Sequence, residues 1–600
     1  MLSSPKLHES VFSSGSEFRD GDSKLGSRFV FSAAADDDVN VERDASAMSV
    51  WRRLAHVELT ALITVALLYG IALVSTWLLS LVVRVHVHQF PSGALTPMQL
   101  TAFTLCFFSI GLHVSNFIFT WLRCTRDAVA ATRAACEVSV YLLLFFVCDR
   151  TALLPRRPCV GSADFFLFLI FAFVCAALAT ARRIRLSSHA EVEHARAGLL
   201  PSAATPTPST GPELQASEAL LNHHHVEEWL GWVLVLYVMY GYFHNVHINV
   251  LVRVCVSCFA FLTAFTSYVR YDSELPQQQS AVLLLRSLWK MNFLAVVTCA
   301  LMGNQYMLYP ICAVQSFVMA AVHLMMSVGP LMRSGSRVVG MKIGAVVVLG
   351  CVLWDTPFSP EVFRLFWSPL YWLVRYDNPV VGVDPLDEWQ FRSRLDHWIW
   401  LVGVLVANRA SFLNGLLRRL DNQRPVGTVI KCAVAAAAAS VIAVYAYVAL
   451  KTRAVDYDRY VPYFSWAPIL AFVALRCVFR TVRCFYLPLC TFFGAFAVEA
   501  YVAHNHVFLA TTGLNGGPLY TLHLLPGDHP LCDFGVFALL LLCVSYRLSI
   551  ATPRLRQFML PFNASLLTVL ENLVILVLVV MCTYLLQYLW YSQNVRATTY

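Results

Sequence analysis

The chain has 600 residues, of which 58% are hydrophobic and only 13% charged, and its formal net charge is +8. A soluble globular protein is about 45–50% apolar and about 25% charged, so the composition, with a mean hydropathy of +0.62, excludes that class. The 44 Lys and Arg are spread over many short polar segments. That excludes a nucleic-acid surface and suits basic loops flanking membrane helices.

Residues 1–50 are rich in Ser and Asp, the composition of a disordered tail. They lack the short apolar core of a signal peptide. Arg52 and Arg53 precede the first apolar run and place the N-terminus in the cytosol. About fifteen runs then have the length and composition of membrane helices, which need about 20 apolar residues. They lie near 57–83, 99–122, 134–148, 163–181, 229–247, 250–269, 286–303, 307–328, 340–354, 397–415, 429–450, 462–479, 485–509, 534–550 and 566–590. None alternates with period two, so the expected fold is all-α and polytopic, with about 13–15 transmembrane helices contacting membrane lipid. Alternating topology puts most basic clusters in the cytosol, among them Arg182/Arg183/Arg185, Arg476/Arg480/Arg483 and Arg547/Arg554/Arg556. Four runs occupy residues 51–185. A polar linker follows at 186–226, containing Pro201, Pro206 and Pro208, and the remaining runs occupy 227–600.

Most of the 18 Cys lie singly within apolar runs, and the one CxxC spacing, Cys255 to Cys258, falls inside the apolar run at 250–269, so the cysteines read as packing residues. The triplet His223-His224-His225 looks like a ligand set, but its place at the end of the polar linker suggests solvated side chains. No cluster has convincing metal spacing, and no metal is expected.

Glu227-Glu228-Trp229-Leu230-Gly231-Trp232 opens an apolar run that carries Tyr240, His244, His247 and Arg253. Ionisable groups within a membrane segment are costly and mark candidate sites. Together with later blocks, this stretch resembles the polysaccharide and sialic-acid O-acetyltransferase family. Its members include plant reduced-wall-acetylation proteins, a fungal capsule O-acetylation protein and the animal sialate O-acetyltransferase. The similar blocks are Cys148-Asp149-Arg150-Thr151, Phe166-Leu167-Phe168-Leu169, Glu228-Trp229, Arg253-Val254, Trp289-Lys290-Met291-Asn292-Phe293, Tyr306-Met307-Leu308-Tyr309, Phe366-Trp367-Ser368-Pro369-Leu370, Glu388 to Asp396, Pro462-Tyr463-Phe464-Ser465-Trp466, Arg476, and Gly494 with Glu499, Tyr501 and His506. The resemblance implies an acyltransferase-like membrane domain over 227–600. Two positions depart from it. Gly241 stands where relatives commonly have histidine, with His244 one turn on, and Lys290 stands where arginine is usual. Gly21-Asp22-Ser23 mimics a hydrolase nucleophile block but has no strand before it.

The resemblance implies a Golgi enzyme that moves acetyl from cytosolic acetyl-CoA to hydroxyls of a secretory-pathway glycan. Such transfer needs cations for the donor's phosphates, a base for the hydroxyl proton and donors for the oxyanion. Arg476, Arg480 and Arg483 recur three or four apart and, with Arg253, are the expected donor-binding cations. Glu388, Arg392 and Asp396 recur every four residues on one helical face. They are the expected glycan contacts, with Glu228 and Trp229. Glu499 and His506 lie two turns apart on one helix and form the expected acid–base pair, assisted by Tyr240 and His244. Two other readings stay open. One is a carrier that supplies acetyl groups to a separate luminal glycan acetyltransferase, and the other is a non-catalytic scaffold for such an enzyme.

Overall fold

The computed structural model describes residues 59–86, 95–119, 126–151, 153–158, 163–184, 220–243, 249–272, 277–327, 336–370, 384–423, 425–452, 454–511, 518–525, 529–562 and 564–598. The N-terminal tail with Gly21-Asp22-Ser23, most of the polar linker, His244, His247 and Asn563 lie outside the described residues.

The first half of the chain supplies α1 (Leu59–His86), α2 (Pro97–Phe119), α3 (Arg126–Arg150), strand β1 (Arg156–Pro158), α4 (Ala163–Ala179) and strand β2 (Arg182–Arg183). After the linker come α5 (His223–Phe243), α6 (Asn249–Asp272), α7 (Gln277–Met302), α8 (Pro310–Ser327), α9 (Ser336–Gly350), α10 (Ser359–Trp367) and α11 (Pro385–Arg394). Next are α12 (Ile399–Asn408), α13 (Ala410–Asn422), α14 (Val426–Lys451), α15 (Ala454–Phe464), α16 (Trp466–Val478), the single turn α17 (Arg480–Arg483) and strand β3 (Phe485–Tyr486). The chain closes with α18 (Pro488–Ala495), α19 (Ala497–Ala503), strands β4 (Leu509–Thr511) and β5 (Pro518–Leu522), α20 (Pro530–Met559) and α21 (Leu566–Thr598).

Among the described residues, nine helices are long and apolar enough to cross a membrane, or up to twelve when each of three bent pairs counts as one span. The sharpest bend, 105°, separates the end of the α9 segment from α10. Pro357 and Pro360 fall at that break, where a ring cannot continue the helix. The three other expected runs are the shorter α4, the charge-bearing α5, and 485–509, which breaks into α18, α19 and a π-helical turn, His504–Phe508. Two small antiparallel sheets interrupt the all-helical pattern. One has the order β1-β5-β4 and the other pairs β2 with β3.

Where no water competes, helices associate through close packing and small residues. The contact of α5 with α18 shows this. A Cβ on Gly231 would fall 1.8 Å from the Cys490 carbonyl oxygen, and one on Gly494 would fall 2.1 Å from that of Glu227. Only glycine at both positions allows the two backbones to touch. Helix α6 is central and largely buried, whereas α1, α14 and α21 leave most of their apolar surface outward, as lipid contact requires. The N-terminal helices pack directly on the C-terminal ones. Trp77 stacks on Trp590 at 5.7 Å and donates to Gln587 at 3.1 Å, and Arg547 pairs with Glu137 at 2.7 Å. The described cysteines are all free thiols.

Candidate active site

Several residues flagged in the sequence turn out to be structural. Arg476 grips Glu228 with Nε at 3.1 Å and Nη2 at 3.0 Å, and also donates to the carbonyls of Val482 and Phe485. Glu228 accepts a further bond from the Leu487 amide at 3.0 Å. This bidentate pair fastens α5 to the α16–α18 connection and leaves the guanidinium committed. Arg483 is buried and donates to Asp421 and to the carbonyl of Cys477. Arg253 pairs with Asp458 at 3.2 Å. The expectation that Arg476 and Arg483 hold the donor is therefore corrected, because both are turned towards partners within the protein, and Arg253 is engaged by Asp458. Arg480 lies exposed on α17. Trp229 is fully buried against Phe472 at 4.5 Å, which corrects its expected glycan role.

The Glu388–Arg392 pair forms as expected, at 2.7 Å on α11. Asp396 does not join it, because α11 ends at Arg394. Its buried carboxylate instead accepts from Ser257 at 2.5 Å. Tyr240 is a half-buried residue of α5 itself, packed against the core. The neighbouring Gly241 faces Leu509 and the His504 ring, at 3.3 and 4.0 Å from where its Cβ would sit.

Glu499 and His506 do not form a pair. The α-helix stops at Ala503, and the π turn that follows breaks the two-turn spacing on which a shared face depended. Glu499 accepts from Thr552 at 3.0 Å. His506 is oriented by Asp149 at the C-terminal end of α3. The Nδ1–Oδ2 distance is 2.7 Å, and both side chains are fully buried. On its other edge, His506 Nε2 lies 2.5 Å from the Tyr309 hydroxyl, and Phe145 stacks on the ring at 5.9 Å. A carboxylate on Nδ1 fixes the tautomer with Nδ1 protonated, so Nε2 becomes the proton acceptor. The Asp149 backbone is held by Arg156, and Arg150 donates to Asn304. Reading the sequence missed Asp149 and Tyr309 as site residues. Their signal was ionisable or hydroxyl side chains at the ends of apolar runs, within blocks already noted for their resemblance.

A cavity of about 180 Å³ lies between α6, α7, α8, α19 and α20. Four basic residues line it: Arg270, Arg286, Lys290 and Arg556. Arg270 donates to Ser287, and Arg286 donates to Gln557 and the Leu560 carbonyl. Glu499 and Glu227 are the carboxylates close enough to act on the charge of Lys290. The same cavity reaches Ile311 and Tyr501, and the Tyr501 ring packs against Tyr309 at 6.2 Å. About 18 Å of helix axis separates Lys290 from Met302 at the end of α7. The cations thus sit towards one end of the bundle and the Asp149–His506–Tyr309 chain towards the other, with Tyr501 between them.

These features describe a multi-pass membrane protein with a buried Asp149–His506–Tyr309 hydrogen-bonded chain and a cation-lined cavity. Residues 210–574 match the family described as a 10 TM Acyl Transferase domain found in Cas1p, and the chain belongs to that family of membrane acyltransferases. The chain is also 24% identical over 446 residues to the N-acetylneuraminate (7)9-O-acetyltransferase of Danio rerio, a match covering 71% of this chain and 50% of that protein. The chain thus spans about half the length of that curated relative. No solved structure matches.

Proposed function

We propose that this acyltransferase moves acetyl from cytosolic acetyl-CoA to a hydroxyl of a secretory-pathway glycan, in the Golgi membrane and with its N-terminus in the cytosol. The observation that carries this reading is the buried Asp149–His506–Tyr309 chain, which touches through Tyr501 the end of a cavity lined by four basic side chains. Anionic phosphates suit the cationic end, and the pantetheine arm suits the apolar stretch between. The thioester would then lie near Tyr501 and Ile311. The positive-inside bias of the loops supports an orientation with the cations towards the cytosol and His506 towards the lumen, as a cytosolic donor and a luminal acceptor require.

In this mechanism His506 Nε2 takes the proton of the acceptor hydroxyl as its oxygen attacks the thioester carbon. Asp149 holds the imidazole and stabilises the imidazolium. As the tetrahedral intermediate collapses, the carbon–sulfur bond breaks and the coenzyme A thiolate leaves, receiving the proton from His506. The product is an O-acetyl ester. The Tyr309 hydroxyl occupies Nε2 until the acceptor arrives.

Purified full-length chain in detergent, given radiolabelled acetyl-CoA and sialylated or neutral glycans, tests the proposal. Acetyl ester formation that requires His506 supports it. Donor binding without transfer to any glycan, combined with delivery of acetyl into sealed vesicles, would replace it with the carrier reading.

A further inference from the structure

The His223-His224-His225 triplet is not the solvated linker end that its sequence suggests. It forms the first turn of α5, packed on the β3 strand. His225 is buried with Nε2 3.3 Å from the Phe485 carbonyl, and the His224 ring stacks on Tyr486 at 4.6 Å. His223 and Glu227 stand one turn apart, with Nε2 and Oε1 3.3 Å from each other. One ligand atom from each of His223, His224 and Glu227 lies within 4.8 Å of the others. The Glu227 side chain is only 1% exposed, and no hydrogen-bond donor reaches its Oε1. A buried carboxylate oxygen is costly to leave in this state. Buried His224 Nδ1 likewise makes no hydrogen bond.

We propose that His223, His224 and Glu227 form a binding site for a zinc-class divalent ion, with a fourth position open to water or another ligand. Three nitrogen and oxygen ligands with one open position are a known zinc arrangement. Bonds of about 2.0–2.1 Å in a tetrahedron place neighbouring ligand atoms about 3.3–3.4 Å apart, the separation already seen between His223 and Glu227. The surroundings select the ion. Lys290 and Arg270 act on His223, and a helix N-terminus also disfavours a cation. A magnesium or calcium ion, which depends on several anionic oxygens, has a single carboxylate here. A late transition metal gains its affinity from the two imidazoles. Position also gives the site a consequence. Val226 and Leu230, on the same helix, line the cation-lined cavity with Lys290, and Glu227 is close enough to act on Lys290. An ion on Glu227 would leave Glu499 as the principal counter-charge of Lys290.

The test uses full-length protein purified in detergent and stripped with a chelator. It is titrated with Zn²⁺, with Co²⁺ as a spectroscopic probe and Mg²⁺ as control. The expected result is one tightly held Zn²⁺ and a visible Co²⁺ band typical of tetrahedral coordination, with no Mg²⁺ retained. His223→Gln and Glu227→Gln should each lower Zn²⁺ affinity at least tenfold and abolish the band, while His225→Gln leaves both unchanged. Wild-type affinity in the folded His223→Gln and Glu227→Gln variants, or no retained Zn²⁺ in the parent protein, overturns the proposal. If Glu227→Gln yields no folded protein, His223→Gln and His224→Gln decide the question by the same readout.

Discussion

Two buried carboxylate contacts, Glu228 with Arg476 and Asp149 with His506, hold distant parts of this chain together, and they differ in what remains available. In Glu228–Arg476 the guanidinium makes two bonds to the carboxylate and two to backbone carbonyls, and the carboxylate also accepts a backbone amide. The guanidinium in that knot offers donors only and no acceptor atom. In Asp149–His506 the carboxylate is matched to one ring nitrogen, while the other meets only a neutral hydroxyl. That nitrogen can accept a proton, so the pair is suited to chemistry. Burial and charge alone do not separate the two cases. The protonation chemistry of the outermost partner does.

Four substitutions sharpen this contrast, beginning with the largest effect. Arg476→Ala leaves Glu228 buried without its partner, which typically costs about 3–5 kcal/mol. We expect loss of folded protein, measured as the monodisperse fraction and melting temperature in detergent, and partial recovery when Glu228→Gln is added. A folded Arg476→Ala protein with selectively weakened donor binding would instead return this arginine to the donor site. Next, Lys290→Met should raise the Michaelis constant for acetyl-CoA about 10- to 100-fold, the effect of losing about 1.5–3 kcal/mol from a charged hydrogen bond. Unchanged donor dependence would move the phosphates elsewhere. Tyr309→Phe removes one hydrogen bond to His506, a change of about 1 kcal/mol. Transfer should change less than tenfold in either direction, and a larger loss would make the phenol a participant in proton transfer. Finally, Asn563→Gln, in the sequon Asn563-Ala564-Ser565, should cause no mass shift, because the proposed orientation, drawn from the basic residues Arg547, Arg554 and Arg556, has that loop facing the cytosol. A glycan on Asn563 would invert the side to which the cavity's cations are assigned.

Much of the fold was legible because membrane helices announce themselves by length and hydropathy. Each expected run corresponds to helical structure, though α9–α10, α12–α13 and α15–α16 are bent. The bend between α9 and α10 was readable in Pro357 and Pro360, whereas the π turn at His504–Phe508 has no comparable signal. That turn is why Glu499 was wrongly joined to His506. The true partner, Asp149, is 357 positions away in sequence, and helical spacing carries no information about which helices meet. The same limit explains the arginines. A cluster at Arg476–Arg483 looks like a phosphate site until Glu228 and Asp421 are brought to it by tertiary packing. Conversely, Arg270, Arg286, Lys290 and Arg556 were scattered over three helices, and only the assembled bundle lines one cavity with them.

The most direct measurement of the central claim compares acetyl transfer and donor affinity in Asp149→Asn and His506→Gln, each made in the full-length chain. Both substitutions preserve side-chain size while disabling the base or its orientation. Transfer should fall by about 10²–10⁴-fold while acetyl-CoA affinity and melting temperature stay near those of the parent protein. Transfer at close to the parent rate in either folded variant would contradict the assignment of Asp149 and His506 as the site of proton transfer.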